Sequence, residues 1–443
     1  MSGIAGVDQP GKQRTVNRML ERISYRGQAG KKVKSVKGAT IGIVCAEAQI
    51  NSINRVENKN EVVDVSGSGR LALAKVREDG VFLKRDPIGI APLYYGENED
   101  GILHFASEVK ALLGFCSEIK AVPPGHMSDG EQLEAYYTLE KKKPLEEPPG
   151  IVAHELKARI RKSIVRKIEQ AQEVGSWLSG GLDSSALAAL ATPHVKRLYT
   201  FAGGFDGSAD LKYARAVADY LGTEHHEVVV EFKDLFSVLP EVIYHLESFD
   251  AFLVRSSLVN YIVAKKASEY VNAVLSGEGG DELFAGYHYL KNLEQDDLAD
   301  ELIDITQRLH NTALQRVDRS ASAHGTVAFV CFLDPEVVDY ALRIPAEYKL
   351  HDNIEKWILR VAMDGELPEK VLKRKKAKFW KGAGVEELMA EYAGYSISDS
   401  DFSKERYLEN GWTLHSKEEL LYYRIFKEYF GDLEDYSWMG RTK

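Results

Sequence analysis

With 443 residues, 44% of them apolar, the chain is long enough to bury a full core, and its length favours two domains over one. A formal charge of −10 leaves no basic footprint of the kind that neutralises a phosphate backbone, which argues against nucleic acid as a partner. The cysteines, Cys45, Cys116 and Cys331, show neither paired nor metal-type spacing, which argues against a disulfide frame or a zinc site and reads as three buried small residues in a reducing compartment.

Residues 1–14 contain no apolar stretch able to serve as a signal sequence, and no run approaches the length of a membrane span. A cytoplasmic protein without membrane contact is expected. A helix is predicted over 16–24, followed by short β-type runs at 39–44, 61–65, 70–76, 80–84 and 92–96, separated by Gly, Asn and Asp. The segment 140–150, EKKKPLEEPPG, breaks both periodicities and is expected to join two domains, 1–145 and 146–443.

After it the pattern changes to an amphipathic helix at 151–171, a strand at 174–178, a helix from 184, a strand at 197–203 and a helix at 210–221. Strands at 227–230 and 273–276 follow, and the remainder reads as mainly helical. Such alternation implies a parallel sheet covered on both faces, which binds ligands at the carboxyl ends of its strands. The chain shows no internal repeat.

The strongest signal is SGGLDSS at 179–185, leaving the apolar run that ends Trp177-Leu178 and entering the helix-forming 186–190. Gly180 and Gly181 let backbone approach a ligand, the hydroxyls of Ser179, Ser184 and Ser185 can donate hydrogen bonds, and free amides at a helix start favour an anion. An acidic residue in a phosphate loop is unfavourable alone, so Asp183 makes sense mainly as a ligand for Mg²⁺. Helix capping by Asp183 and Ser184 is the plainer reading, but capping does not require Gly-Gly before it. A second cluster, SGEGGDELFAGY at 276–287, again follows a β run with glycines and carries three carboxylates. A third, KRKKAKFWKGAG at 373–384, is a basic run beside Phe, Trp and Gly. Such runs are usually solvated faces or contacts to acidic partners, but a lysine there could also stabilise negative charge building at a phosphate site.

SGGLDSS resembles the pyrophosphatase loop of enzymes that cleave ATP between its α and β phosphates, among them asparagine synthetase, GMP synthetase, argininosuccinate synthetase and tRNA-thiolating enzymes. The second cluster is similar to the SGEGxDExFxGY segment of asparagine synthetases and β-lactam synthetases. The third resembles the same family's RxKxxFxxGxG. The resemblance implies ATP as cosubstrate, with Asp183 and Asp281 sharing Mg²⁺, Ser276 and Gly277 lining the nucleotide, and Glu278 at an acyl-adenylate. It makes Lys376 the catalytic lysine and puts Trp177 and Gly203 near the adenine, the latter through TFAGGF at 200–205. Further segments fall in the family's order: ESFD at 247–250 with Arg255, FLD at 332–334, IEK at 354–356, ILR at 358–360 and YYR at 422–424. The implied fold is α/β and α+β in two domains: a shortened Ntn-hydrolase-like sandwich, then a doubly wound parallel sheet of the adenine nucleotide α-hydrolase (PP-loop) type. In the first domain RDPIG at 85–89, PLYY at 92–95, FASE at 105–108 and PPGH at 123–126 look like the family's glutaminase domain and read as packing and turn elements.

The chain departs from the family in four places. Ser2 stands where the glutaminase nucleophile is a cysteine, RGPDxxG appears only as RGQAG at 26–30, and the NGEIYN strand has no counterpart before Arg70. A hydroxyl needs a stronger base than a thiol, and nucleophile and oxyanion donors are needed together, so glutamine hydrolysis is expected to be lost. In the second domain Val327 and Phe329 stand where the family has Glu and Arg, a lost ion pair that puts the acceptor in doubt. The expected activity is an ATP-dependent amide ligase joining aspartate to ammonia or an amine through an acyl-adenylate, and a homodimer is compatible with it. The rivals are the same activation on another carboxylate, as in β-lactam synthetase or lasso-peptide cyclase, a tRNA-modifying enzyme, and a non-enzymatic relative. The second predicts a basic surface and reactive cysteines, neither of which this sequence shows, and the intact loop segments count against the third.

Overall fold

The computed structural model describes residues 2–66, 69–78, 80–128, 132–169, 173–374 and 385–442. The first part of the chain forms two antiparallel sheets packed face to face. One has six strands in the order Gly30–Ser35, Thr40–Cys45, Gly3–Val7, Leu103–Ala106, Tyr94–Glu97, Lys120–Ala121. The other has five, in the order Leu133–Ala135, His126–Ser128, Gly80–Arg85, Gly69–Arg77, Glu61–Ser66. The helix Gln13–Arg22 buries Val16, Met19 and Leu20. Val16 and Leu20 pack over Gly42, where a Cβ would lie 2.8 Å from each.

Each β run expected in this half is a strand with ends shifted by one or two residues, but Gly3–Val7, Gly30–Ser35 and Leu103–Ala106 were not anticipated. Gly30–Ser35, GKKVKS, is an edge strand, and its lysines serve to blunt an edge that alternation rules read as loop. Arg85 donates to the carbonyls of Ala91 (2.8 Å), Val122 (2.8 Å) and Gly89 (3.1 Å), and Asp86 accepts from the amides of Ile88, Ile90 and Ala91. The RDPIG segment thus closes its own turn. The thiols are not all buried as expected: Cys45 and Cys331 are, whereas Cys116 is half-buried.

The second part opens with the helix Pro149–Ile168 and is built on a five-stranded, wholly parallel sheet. Its order is Glu224–Val229, Leu198–Gly204, Val174–Trp177, Ala273–Leu275, Val327–Phe329. The chain starts at the central strand, builds to one edge through the helices Leu182–Ala191 and Ala209–Leu221, then returns through Phe232–Leu246 and Ala251–Ser268 to the other side. The carboxyl end of Val174–Trp177 is therefore the point where strand order reverses, and a crevice opens there. Helices lie on both faces. Val327 and Phe329 are buried in the edge strand paired with Ala273–Leu275, so the positions where the family has Glu and Arg are here apolar core.

The domains are joined by a buried set of charges. Arg26 meets Glu108 at 2.7 Å and grips Asp318 of the second domain with both nitrogens, at 2.8 and 2.9 Å. Arg319 bridges Glu108 and Glu247, each at 2.9 Å, and Lys110 lies 3.2 Å from Glu247. Burial pushes the Glu108 carboxyl up, but Arg319, Lys110 and Arg26 outweigh it and hold the group well below the usual carboxylate range. Three cations and three anions balance, which is what burial of such groups demands.

Lys349, ending the short helix Ala346–Lys349, is buried, and burial alone lowers its pKa from the ordinary 10.5 to about 7. The folded state therefore pays its full penalty below pH 7, where both states are protonated, and the penalty fades as pH rises toward 10. Lys349→Met should be more stable than wild type by about 2 to 4 kcal/mol at pH 6. In urea titrations that advantage should shrink steadily between pH 7 and 10.

Candidate active site

The first glycine turn leaves the central strand at its carboxyl end, with the Leu178 amide still donating to Phe201 at 2.7 Å. Gly180 has φ +68°, and a Cβ there would stand 2.5 Å from the Ala214 nitrogen, so no other residue fits. The helix Leu182–Ala191 then begins, with Asp183 in its first turn. Ser184 Oγ donates to the Gly181 carbonyl at 3.2 Å and accepts from the Ser179 amide at 3.2 Å, while the Gly181 amide donates to Ser179 Oγ at 3.3 Å. In this state the two hydroxyls close the loop on itself. Ser185 is fully buried and its hydroxyl bonds no described group.

The second turn leaves the neighbouring strand, where the Ser276 amide donates to Phe329 at 2.9 Å. It packs directly on the first. A Cβ on Gly277 would lie 3.0 Å from the Ser184 nitrogen, and one on Gly280 would lie 2.6 Å from Asp183 Cγ. Asp281 sits in the short helix Gly280–Leu283. Sheet topology thus brings residues about a hundred positions apart side by side at the switch point.

Between the two carboxylates lies a cation the sequence reading gave no role. Lys356 Nζ ion-pairs with Asp183 and stands 2.6 Å from Asp281 Oδ1, with 3% of its side chain exposed. Lys356 adopts φ +56° and its amide donates to Phe284 at 3.1 Å. Gly286 makes room for it: a Cβ there would be 1.9 Å from Asp281 Oδ1 and 2.2 Å from Lys356 Cε. A lone lysine before an ILR helix start carries no local pattern, so only its place in the resemblance could have flagged it.

The other expected positions sit around this pair. Glu278 is ion-paired with Arg316. Glu282 accepts from the Tyr287 hydroxyl, and burial, with Asp281 and Glu278 nearby, pushes its carboxyl up to about 7. Trp177 is half-buried, and its Nε1 bonds no described group. Gly203 lies near the end of Leu198–Gly204, where its missing Cβ admits Val263 at 2.3 Å and Val259 at 3.0 Å, so helix packing alone demands glycine there. Arg374 donates to the Ser179 carbonyl at 3.2 Å, ion-pairs with Asp210 and lies over the Tyr213 ring. Arg360 in turn holds the carbonyls of Leu372 and Arg374. The chain is thereby fixed beside the first turn as it enters 375–384. Lys376 and its neighbours Lys375, Lys378 and Lys381 lie outside the described residues.

The arrangement fits a magnesium ion. Two carboxylates already converge on one cation, and Mg²⁺ is ordinarily held by one or two carboxylates with phosphate oxygens completing its shell.

In the first domain Ser2 is fully buried. Its hydroxyl donates to Gln49 Oε1 at 2.6 Å, its main-chain nitrogen to Asp64 at 3.2 Å, and its carbonyl accepts from Arg26 Nε at 3.2 Å. Burial pushes the Asp64 carboxyl up to about 6.

A parallel sheet with two glycine turns meeting at its switch point, carried behind a domain of two antiparallel sheets, is the architecture expected of an ATP-dependent carbon–nitrogen ligase. A model of the asparagine synthase family matches residues 155–303 and 290–439, and one of the glutamine amidotransferase domain matches 50–147. Asparagine synthetase [glutamine-hydrolyzing] 2 of Arabidopsis thaliana is 35% identical over 402 residues, spanning 84% of this chain and 69% of that one. Asparagine synthetase B [glutamine-hydrolyzing] of Escherichia coli is 34% identical over 391 residues, 83% of this chain and 70% of that one. A probable asparagine synthetase of Schizosaccharomyces pombe is 36% identical over 392 residues, 80% and 70%. The chain belongs to the asparagine synthase family. No helix among the described residues is long and apolar enough to cross a membrane.

Gly286→Ala should drive Asp281 and Lys356 apart. Pyrophosphate release should fall about 100-fold, because sub-ångström displacement of aligned groups is that costly. The far-UV circular dichroism spectrum should stay unchanged.

Proposed function

We propose that the chain forms an amide from a carboxylic acid, ATP and free ammonia, with aspartate as the leading acid. The observation that carries this reading is the convergence of Asp183 and Asp281 on one cation between two glycine turns. The division of labour places domain 1–145 as scaffold and 146–443 as the ligase.

In the proposed reaction, the turn amides of Gly180 and Gly181 and the start of the helix Leu182–Ala191 receive the phosphates, with the Ser179, Ser184 and Ser185 hydroxyls beside them. Ser276 and Gly277 line the nucleotide, and Trp177 and Gly203 lie by the adenine. Asp183 and Asp281 would hold Mg²⁺, which supplies charge neutralisation to the phosphates. A carboxylate oxygen attacks the α-phosphorus and the bond to pyrophosphate breaks, giving the acyl-adenylate beside Glu278. Lys376 stabilises the departing pyrophosphate. Ammonia then adds to the acyl carbon, loses a proton and expels AMP.

Free ammonia is the nitrogen source on this reading because Ser2 stands where the family has a cysteine, a hydroxyl needs a stronger base than a thiol, and this hydroxyl is buried and donates to Gln49. A second reading, the same activation of another carboxylate, is favoured by one observation: Val327 and Phe329 bury apolar groups where the family carries an ion pair. With ATP, Mg²⁺ and aspartate, ammonium should support pyrophosphate release at least about 100-fold better than glutamine, the span expected when an activated nucleophile is missing. Asp183→Asn and Asp281→Asn should each lower the ammonium rate by about 100- to 1,000-fold. If neither AMP nor pyrophosphate appears with aspartate, asparagine synthesis is rejected, and a screen of other carboxylates by the same assay decides the second reading.

A further inference from the structure

The first turn depends on the direction of one peptide. A trans peptide is planar, so its N–H points opposite to its C=O, and whatever fixes the Ser179 carbonyl also aims the Gly180 amide. A flip of that peptide changes ψ at Ser179 and φ at Gly180, and glycine tolerates φ of either sign. The residue that lets the turn close therefore leaves its own amide unaimed. That amide donates to no described group, whereas the next one, of Gly181, donates to Ser179 Oγ.

Arg374 supplies the missing constraint. Its Nη1 donates to the Ser179 carbonyl at 3.2 Å, its Nη2 ion-pairs with Asp210, and its guanidinium carbon lies 4.2 Å from the centre of the Tyr213 ring. Asp210 and Tyr213 belong to the helix Ala209–Leu221, whose Tyr213 and Ala214 are also what leave no room for a Cβ at Gly180. One side chain, 10% exposed, thus ties the turn to the helix packed against it. Arg374 is itself held, since its carbonyl accepts from Arg360 at 3.2 Å. Asp210 balances the guanidinium charge, so the arginine serves the turn through the fixed direction of its donors.

We propose that Arg374 is a positioning residue for the phosphate turn: by holding the Ser179 carbonyl it turns the Gly180 amide the opposite way, to receive a phosphate oxygen. Asp210 acts one step behind it, as the holder of the guanidinium. This rests on the reading of 179–185 as a phosphate turn.

The test uses the full chain and calorimetric titration with two probes, α,β-methylene-ATP, which cannot release pyrophosphate, and adenosine, which has no phosphates. Arg374→Gln should weaken the ATP analogue about tenfold, the worth of one hydrogen bond to a charged group, and leave adenosine within about twofold. Asp210→Asn decides between positioning and charge. With its holder gone Arg374 should aim the peptide less well, so the analogue should again bind about three- to tenfold more weakly. If the arginine worked by charge alone, removing the anion beside it would tighten binding instead. Unchanged or tighter analogue binding in Asp210→Asn overturns the proposal. So does an equal loss for analogue and adenosine in either variant, the mark of general damage. If Arg374→Gln does not fold, Arg374→Lys takes its place: one ammonium lacks the fork that reaches both Ser179 and Asp210, so an intermediate loss is expected and full affinity sinks the idea. Failure of the phosphate-turn reading shows in wild type, which would then bind adenosine as tightly as the analogue.

Discussion

Two carboxylates forced together at the switch point of a parallel sheet are the constraint around which the second domain is arranged. Asp183 and Asp281 are carried on separate turns, and the missing Cβ atoms of Gly277, Gly280 and Gly286 let those turns close until one cation spans both acids. Like charges at that range repel unless a cation sits between them, and Lys356 is one that does. Strand order makes the meeting possible: Val174–Trp177 and Ala273–Leu275 are neighbours although four helices separate them in sequence.

A second set of charges does the opposite. The cluster of Arg26, Glu108, Lys110, Glu247, Asp318 and Arg319 is balanced and closed, with each group meeting its partners and none facing a ligand. The crevice acids meet Lys356 at the mouth of the sheet, whereas the interface acids meet their cations between the domains. The contrast separates a binding site from a fastening, though both are built from buried acids and bases.

Much of this was legible in the sequence, for physical reasons that also explain the gaps. A β run, two glycines, small hydroxyls and a helix start leave few structural readings, so both turns and their acids were placed from the residues and the resemblance. Four of the five parallel strands and the helices Leu182–Ala191 and Ala209–Leu221 followed from the alternating pattern, whereas the three-residue strand Val327–Phe329 lay in a stretch read as mainly helical. Lys356 was not found, because its function comes from a long-range approach that no local pattern encodes. Gly30–Ser35 escaped because an edge strand protects itself with lysines, which suppresses the alternation that reveals a strand. Arg26 was seen only as a relic of RGPDxxG, while its partner Asp318 lies in the other domain.

That last pairing gives the first domain a structural role in the second, whatever its chemistry. On the proposed reading Ser2 no longer serves as a nucleophile, yet its carbonyl accepts from Arg26 Nε, and the same guanidinium clamps Asp318. Replacing Arg26 alone would leave Glu108 and Asp318 buried with a partner missing, and breaking such a pair costs about 3 to 5 kcal/mol. Arg319 and Asp318 belong to the helix Ala313–Ser322, which leads directly into the edge strand Val327–Phe329, and that strand's Phe329 carbonyl holds the Ser276 amide at the start of the second turn. The amino-terminal domain is therefore coupled to the crevice through a short path of named bonds. Arg26, whose guanidinium holds both the Ser2 carbonyl and Asp318, is the residue on which that coupling turns.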